Sequence, residues 1–192
     1  MKTKLIALLI MATASSFSTS ATAADSYTID SRHTFPSFEI SHLGFSIQRG
    51  RFNHTTGKVT LDAKAATGGS IDVTIDTASI STGLAELEDH LRSKDFFDAA
   101  RYPQTKFVSS KLTFNKDQLA SVDGNLTLHG VTKPVHLTVD HFHCGFNPIA
   151  LKNECGVNAY TVIKRSEFGV DKYVPAIGDD VKIVIQVEAT KD

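Results

Sequence analysis

Val181-Lys182-Ile183-Val184-Ile185-Gln186-Val187 sets an aliphatic side chain at every odd position, with Lys182 and Gln186 between them. A strand turns successive side chains to opposite faces, so this stretch reads as a strand with one apolar face. The same period-two pattern recurs in Ile71-Asp72-Val73-Thr74-Ile75-Asp76, in Leu126-Thr127-Leu128 and in Val135-His136-Leu137-Thr138-Val139. Gly57, Gly68-Gly69, Asp123-Gly124-Asn125, Gly130 and Gly178-Asp179 break these runs at turn positions. Further strands are expected at about 27–30, 33–48, 50–63, 104–114 and 156–165, a total of roughly eight or nine. The fold class is all-β.

One segment departs from the pattern. Leu84, Leu87 and Leu91 follow i, i+3, i+7 spacing, with Glu86, Glu88 and Asp89 on the other side. This predicts one amphipathic helix over about 84–92, with Thr82 or Gly83 as its cap. Phe96-Phe97 and Tyr102-Pro103 follow, forming an apolar cluster beside it. Antiparallel strands with one apolar face must form a sandwich or close into a barrel. Eight of them can close around a space that holds one small ligand. An outer-membrane barrel would turn its apolar face outward between aromatic girdles. The absence of Trp and the ending Glu188-Ala189-Thr190-Lys191-Asp192 argue against that alternative.

The start of the chain gives the compartment. Lys2 and Lys4, the apolar run Leu5–Ala12 and Ala21-Thr22-Ala23 have the anatomy of a secretory signal peptide over residues 1–23. Its apolar run is too short to span a bilayer. The expected mature domain, 24–192, keeps 18 of the 20 basic side chains against 21 acidic ones, a net of −3 instead of −1. That balance argues against nucleic acid as a partner, and no second apolar run is long enough for integral membrane insertion. The expected location is periplasmic, with monomer and homodimer both open.

Cys144 and Cys155 are the only cysteines. In an oxidising compartment they are expected to pair, stapling the turn-rich segment between them. A metal site built from His141, His143 and Cys144 is the competing reading, but it lacks a spaced second ligand pair. Chemistry has few other candidates. There is no phosphate loop, no G-x-S-x-G and no H-E-x-x-H, and the eight histidines are scattered. The twelve phenylalanines stand out instead. Phe35, Phe38, Phe45 and Phe52 punctuate the early strands, and Phe107 and Phe168 recur later. They fit either a packed core or an apolar ligand cavity, and composition does not separate the two.

The ordered motifs resemble the YceI family of periplasmic, lipocalin-like, polyisoprenoid-binding proteins. The resemblance starts at Tyr27-Thr28-Ile29-Asp30, His33-Thr34-Phe35, Ile40-Ser41-His42-Leu43-Gly44 and Gly50-Arg51-Phe52. It continues through His90-Leu91-Arg92-Ser93-Lys94-Asp95-Phe96-Phe97-Asp98 and Tyr102-Pro103-Gln104-Thr105-Lys106-Phe107. The run from Gly124 to Val135 and Arg165-Ser166-Glu167-Phe168-Gly169-Val170 complete it. Leu87-Glu88 stands where many members have Arg-Asp before the His-Leu, and the cysteine pair is no part of the resemblance.

The resemblance implies an eight-stranded antiparallel β-barrel with a short capping helix. It also implies an isoprenoid or quinone-type lipid as the bound ligand, no other cofactor and no catalysis. The expected pore comprises Phe35, Phe38, Ile40, His42, Phe45, Phe52, Val73, Ile75, Leu84, Leu91, Phe96, Phe107 and Phe168. His90 and Arg92 are expected to contact the head group at the mouth. Two rival readings remain: an enzyme using His90 with Asp89 or Glu88, and an interaction module with a solid core.

Overall fold

A computed structural model describes residues 24–62 and 67–192; the expected signal peptide, 1–23, lies outside the described residues. The strands are β1 (Asp25–Ile29), β2 (Ser37–His42), β3 (Ser46–Phe52), β4 (Thr55–Leu61), β5 (Gly69–Asp76) and β6 (Ile80–Ser81). The helix α1 (Ala85–Arg92) separates them from β7 (Gln104–Asn115), β8 (Gln118–Leu128), β9 (Val131–Asn147), β10 (Lys152–Lys164) and β11 (Ile177–Lys191).

These segments build an eight-stranded barrel because three of its strands are interrupted. One edge of β11 pairs with β2 at residues Val181 to Val184 and with β1 at Ala189 to Lys191. So β1 and β2 share one position in the wall. In the same way β3 pairs with β2 and β4 with β1, while β6 pairs with β3 and β5 with β4. From β5 onward each strand pairs antiparallel with the next through β7, β8, β9, β10 and β11. The return of β11 to β1 closes the ring, leaving no long exposed edge along most of the wall.

The breaks and turns along the chain have local causes. After β1, the Asp30 carboxylate accepts bonds from the Arg32 backbone N–H and guanidinium, folding the chain into a turn. The expected single strand 33–48 is two strands, because Leu43 and Gly44 both adopt positive φ, 53° and 75°, in a tight turn. His129 and Gly130, at 51° and 76°, form the two-residue turn between Leu128 and Val131. Positive φ at both central residues is what such a hairpin requires.

At the end of the chain, Asp192 fastens the seam. Its backbone N–H donates to the Ser26 carbonyl, and its carboxylate accepts from Ser26 Oγ, Thr28 Oγ1 and Lys58 Nζ. These contacts hold the carboxyl of Asp192 down at about 2. Beside the seam, the disulfide Cys144–Cys155 staples β9 to β10, its residues facing each other across the two strands with Cα atoms 4.1 Å apart.

The helix forms where its spacing predicts it, with a different start. Leu84 occupies the N-cap position without a side-chain cap. Glu88 stabilises the entry instead, accepting from the backbone N–H groups of Thr82 and Gly83 and from Ser81 Oγ. Those bonds favour the charged carboxylate and lower its pKa.

Candidate ligand-binding cavity

Period-two alternation carries the odd-numbered side chains of β11 inward, with Val181, Ile183, Ile185, Val187 and Ala189 all on the cavity wall. On β10 the inward series is Cys155, Val157, Ala159, Thr161 and Ile163; on β5 it is Ile71, Val73 and Ile75. Together with the other strands they enclose a cavity of about 420 Å³. At the end away from α1 the space is packed shut. There Leu112, Leu119, Val122, Leu137 and Ala159 form a buried cluster with Phe114 and Phe142 against it. The lumen is therefore neither a through-pore nor a solid core.

Glycine shapes the wall where Phe38 lies over Gly50 and Phe107 over Gly124. A Cβ on Gly124 would stand 2.5 Å from the Phe107 ring, so only glycine lets that ring lie against the neighbouring strand. At the other end α1 contributes Leu87, His90 and Leu91 to the wall. His90, Phe96 and Tyr173 make an aromatic group there, with ring centroids 4.9 Å (His90–Phe96) and 6.1 Å (Phe96–Tyr173) apart.

Of the expected pore residues, Phe38, Ile40, His42, Phe52, Val73, Ile75, Leu91, Phe96 and Phe107 line this cavity, as does His90. The parity assumed for 38, 40 and 42 is thus the parity found. Five expected site residues lie elsewhere. Phe35 sits before β2 beneath the Arg51 guanidinium, 4.4 Å from its ring centroid. Phe45 follows the Leu43-Gly44 turn and is 89 % exposed. Leu84, at the helix cap, is 56 % exposed. Phe168 is buried, packed with Leu126, Leu128 and Ile163 rather than facing the lumen. Arg92 donates to the Ala78 and Ile80 carbonyls and to Asp89 and Glu88, tying the helix to the strand before it.

Three buried polar residues of the wall escaped sequence reasoning. Thr55 is 1 % exposed, and its Oγ1 has no hydrogen-bond partner among the described residues. Thr105 lines the cavity and lies 3.4 Å from Thr77, hydroxyl to hydroxyl. Arg165 is buried, and desolvation pushes its pKa down, though a guanidinium keeps its charge. Inward parity on β4 and β10 is the signal that marks Thr55 and Arg165.

The catalytic partners considered for His90 are engaged otherwise: Asp89 pairs with Arg92 and Glu88 holds the helix entry. Among the described residues no group of three or more His, Cys, Asp or Glu is arranged to hold a metal, and Cys144 is in the disulfide.

Residues 27–189 match the family described as the YceI-like domain. The chain belongs to the YceI-like family. It is 38 % identical over 174 residues to "Protein YceI" of Escherichia coli O157:H7, covering 90 % of each chain. It is equally identical over 169 residues to a "UPF0312 protein" of Pseudomonas savastanoi pv. phaseolicola, covering 87 % of each. Among solved structures, Burkholderia cenocepacia BcnA superposes with a TM-score of 0.70 at 28 % identity, over 83 % of this chain and 98 % of that one. A polyisoprenoid binding domain from Saccharophagus degradans shares the fold at a TM-score of 0.66 and 18 % identity, over 86 % and 98 %. The YceI-like match thus spans residues 27–189.

Proposed function

We propose that this YceI-like chain is an exported binding or carrier protein for an isoprenoid, quinone-like or other long-chain amphiphile, and that it is not an enzyme. The observation that carries the reading is the cavity: about 420 Å³ inside the barrel, and walled mostly by aliphatic and aromatic side chains. A buried CH₂-sized group contributes about 0.8 kcal/mol, so a twenty-carbon tail supplies roughly 16 kcal/mol before costs. Association and ordering take about 4–15 kcal/mol of it, which leaves room for useful affinity. The fold shared with a polyisoprenoid binding domain supports the tail chemistry. The disulfide supports an oxidising compartment, with the periplasm as the proposed location.

The test is organic extraction and native mass spectrometry of protein purified from the compartment where it is made. Recovery of a stoichiometric amphiphile with a long hydrocarbon tail is expected. Lipid-free protein that also fails to take up added isoprenoid would overturn the reading in favour of an interaction module.

A further inference from the structure

The inward series on β10 does not stop at Ile163. Two residues on, at the start of the short 3-10 turn Arg165–Phe168, the next side chain on the cavity wall is an arginine. Arg165 is only 5 % exposed. Its Nε donates to the Gly178 carbonyl at 2.8 Å, Nη1 to Val170 at 2.8 Å and Nη2 to Ile177 at 3.1 Å. A guanidinium has five N–H groups, so one on each terminal nitrogen is left over.

Among the described residues, no carboxylate is hydrogen-bonded to it. Asp179 is taken up by the backbone N–H and hydroxyl of Ser166, and it acts on Arg165, as Asp171 does, only through space. The contrast with the other arginine on the wall is clear: Arg49 is bonded to Glu39 at 2.8 Å. A buried cation with no carboxylate bonded to it is a costly arrangement, which hydrogen bonds to neutral carbonyls and the more distant charges of Asp179 and Asp171 offset only in part. Val170 lies in the loop that carries Tyr173, and Ile177 and Gly178 open β11, so the charge and Tyr173 are held by one stretch of chain, and both line the lumen.

Building on the lipid-binding reading, we propose that Arg165 is a head-group site: it receives an acidic oxygen, carboxylate or phosphate, of an amphiphile whose tail fills the apolar lumen. Arginine presents a planar pair of donors suited to such groups. A role confined to pinning the Val170–Gly178 loop would give no preference among head groups.

The experiment compares three C20 prenyl probes of one chain length, the alcohol, the carboxylic acid and the monophosphate, each competed against a fluorescent fatty-acid analogue. The wild-type protein is expected to bind at least one acidic probe about tenfold or more tightly than the alcohol, and the better of the two identifies the acid. Arg165→Met is expected to lose that preference while keeping its affinity for the alcohol, and Arg49→Met to keep it. If the wild type binds all three equally, the head-group site is wrong and tail binding stands. If it binds none, the lipid-binding reading itself falls. Should Arg165→Met not fold, the wild-type preference and its survival in Arg49→Met decide the matter, and its loss in Arg49→Met overturns the assignment.

Discussion

Thr55 shows what a single residue in this wall does. Its hydroxyl is buried without a hydrogen-bond partner among the described residues, in a lining that is mostly apolar. An unsatisfied buried hydroxyl costs about 1–3 kcal/mol, and valine has the same branched shape without it. Thr55→Val is therefore expected to stabilise the ligand-free protein by about 1 kcal/mol. In a domain of this size that raises Tm by roughly 2–4 °C. Calorimetry of the two proteins decides it; a lower Tm in the variant would mean that the hydroxyl has a stabilising partner. Such residues explain what the sequence conceals. Phe38 and Ile40 were legible because alternation fixes their side of the sheet. Phe45 was not, because a turn at Leu43-Gly44 resets the parity and nothing in residue type announces that a leucine takes positive φ.

Among the elements, the long β9–β10 hairpin and the terminal seam are held by different chemistry. Cys144 and Cys155 are 11 residues apart, and closing a loop of that size stabilises by about 3 kcal/mol in the chain-entropy account. Replacing both with serine is expected to lower unfolding free energy by about that amount in urea titration; an unchanged midpoint would show that the pairing of β9 with β10 suffices alone. The seam instead depends on pH. Asp192 has a folded-state pKa of about 2, below its ordinary value, because Thr28, Ser26 and Lys58 favour its charged form. A depressed carboxylate stabilises above its unfolded pKa of about 4 and loses that contribution as pH falls toward the folded value. Asp192→Asn should thus be less stable than the wild type at neutral pH, with the gap closing between about pH 4 and pH 2. A gap that persists below this window would assign the effect to packing rather than charge.

These elements were legible to different degrees. Strands of β5, β8, β9 and β11 carry their faces in plain alternation, and α1 carries its own in leucine spacing. The break between β1 and β2 falls between the expected strands 27–30 and 33–48, whereas the break between β3 and β4 lies inside the expected strand 50–63, at Asn53-His54, whose backbone N–H groups bond the distant Ser79 carbonyl and hydroxyl.

At the scale of the whole molecule, the distinction that matters is between a filled barrel and one that keeps space for a ligand. Closed at the end beyond Phe114 and Phe142 and bounded at the other by α1, the lumen is bordered by Ile40 and Val73, Val73 also packing beside the buried groups around Val59 and Ile75. A tryptophan forced into a filled core costs about 1–3 kcal/mol through displaced side chains. In an open lumen the added ring occupies the volume a lipid tail would use. Ile40→Trp and Val73→Trp are therefore expected to leave the ligand-free Tm within a few degrees of the parent while lowering affinity for a C20 prenyl chain by tenfold or more. The two variants lie on different strands, β2 and β5, so a shared loss of binding cannot come from one local distortion. Large losses of Tm in both, with binding by the survivors unimpaired, would mean that the tail does not lie where these side chains point. Loss of lipid with stability intact is the outcome that only a ligand-holding barrel produces.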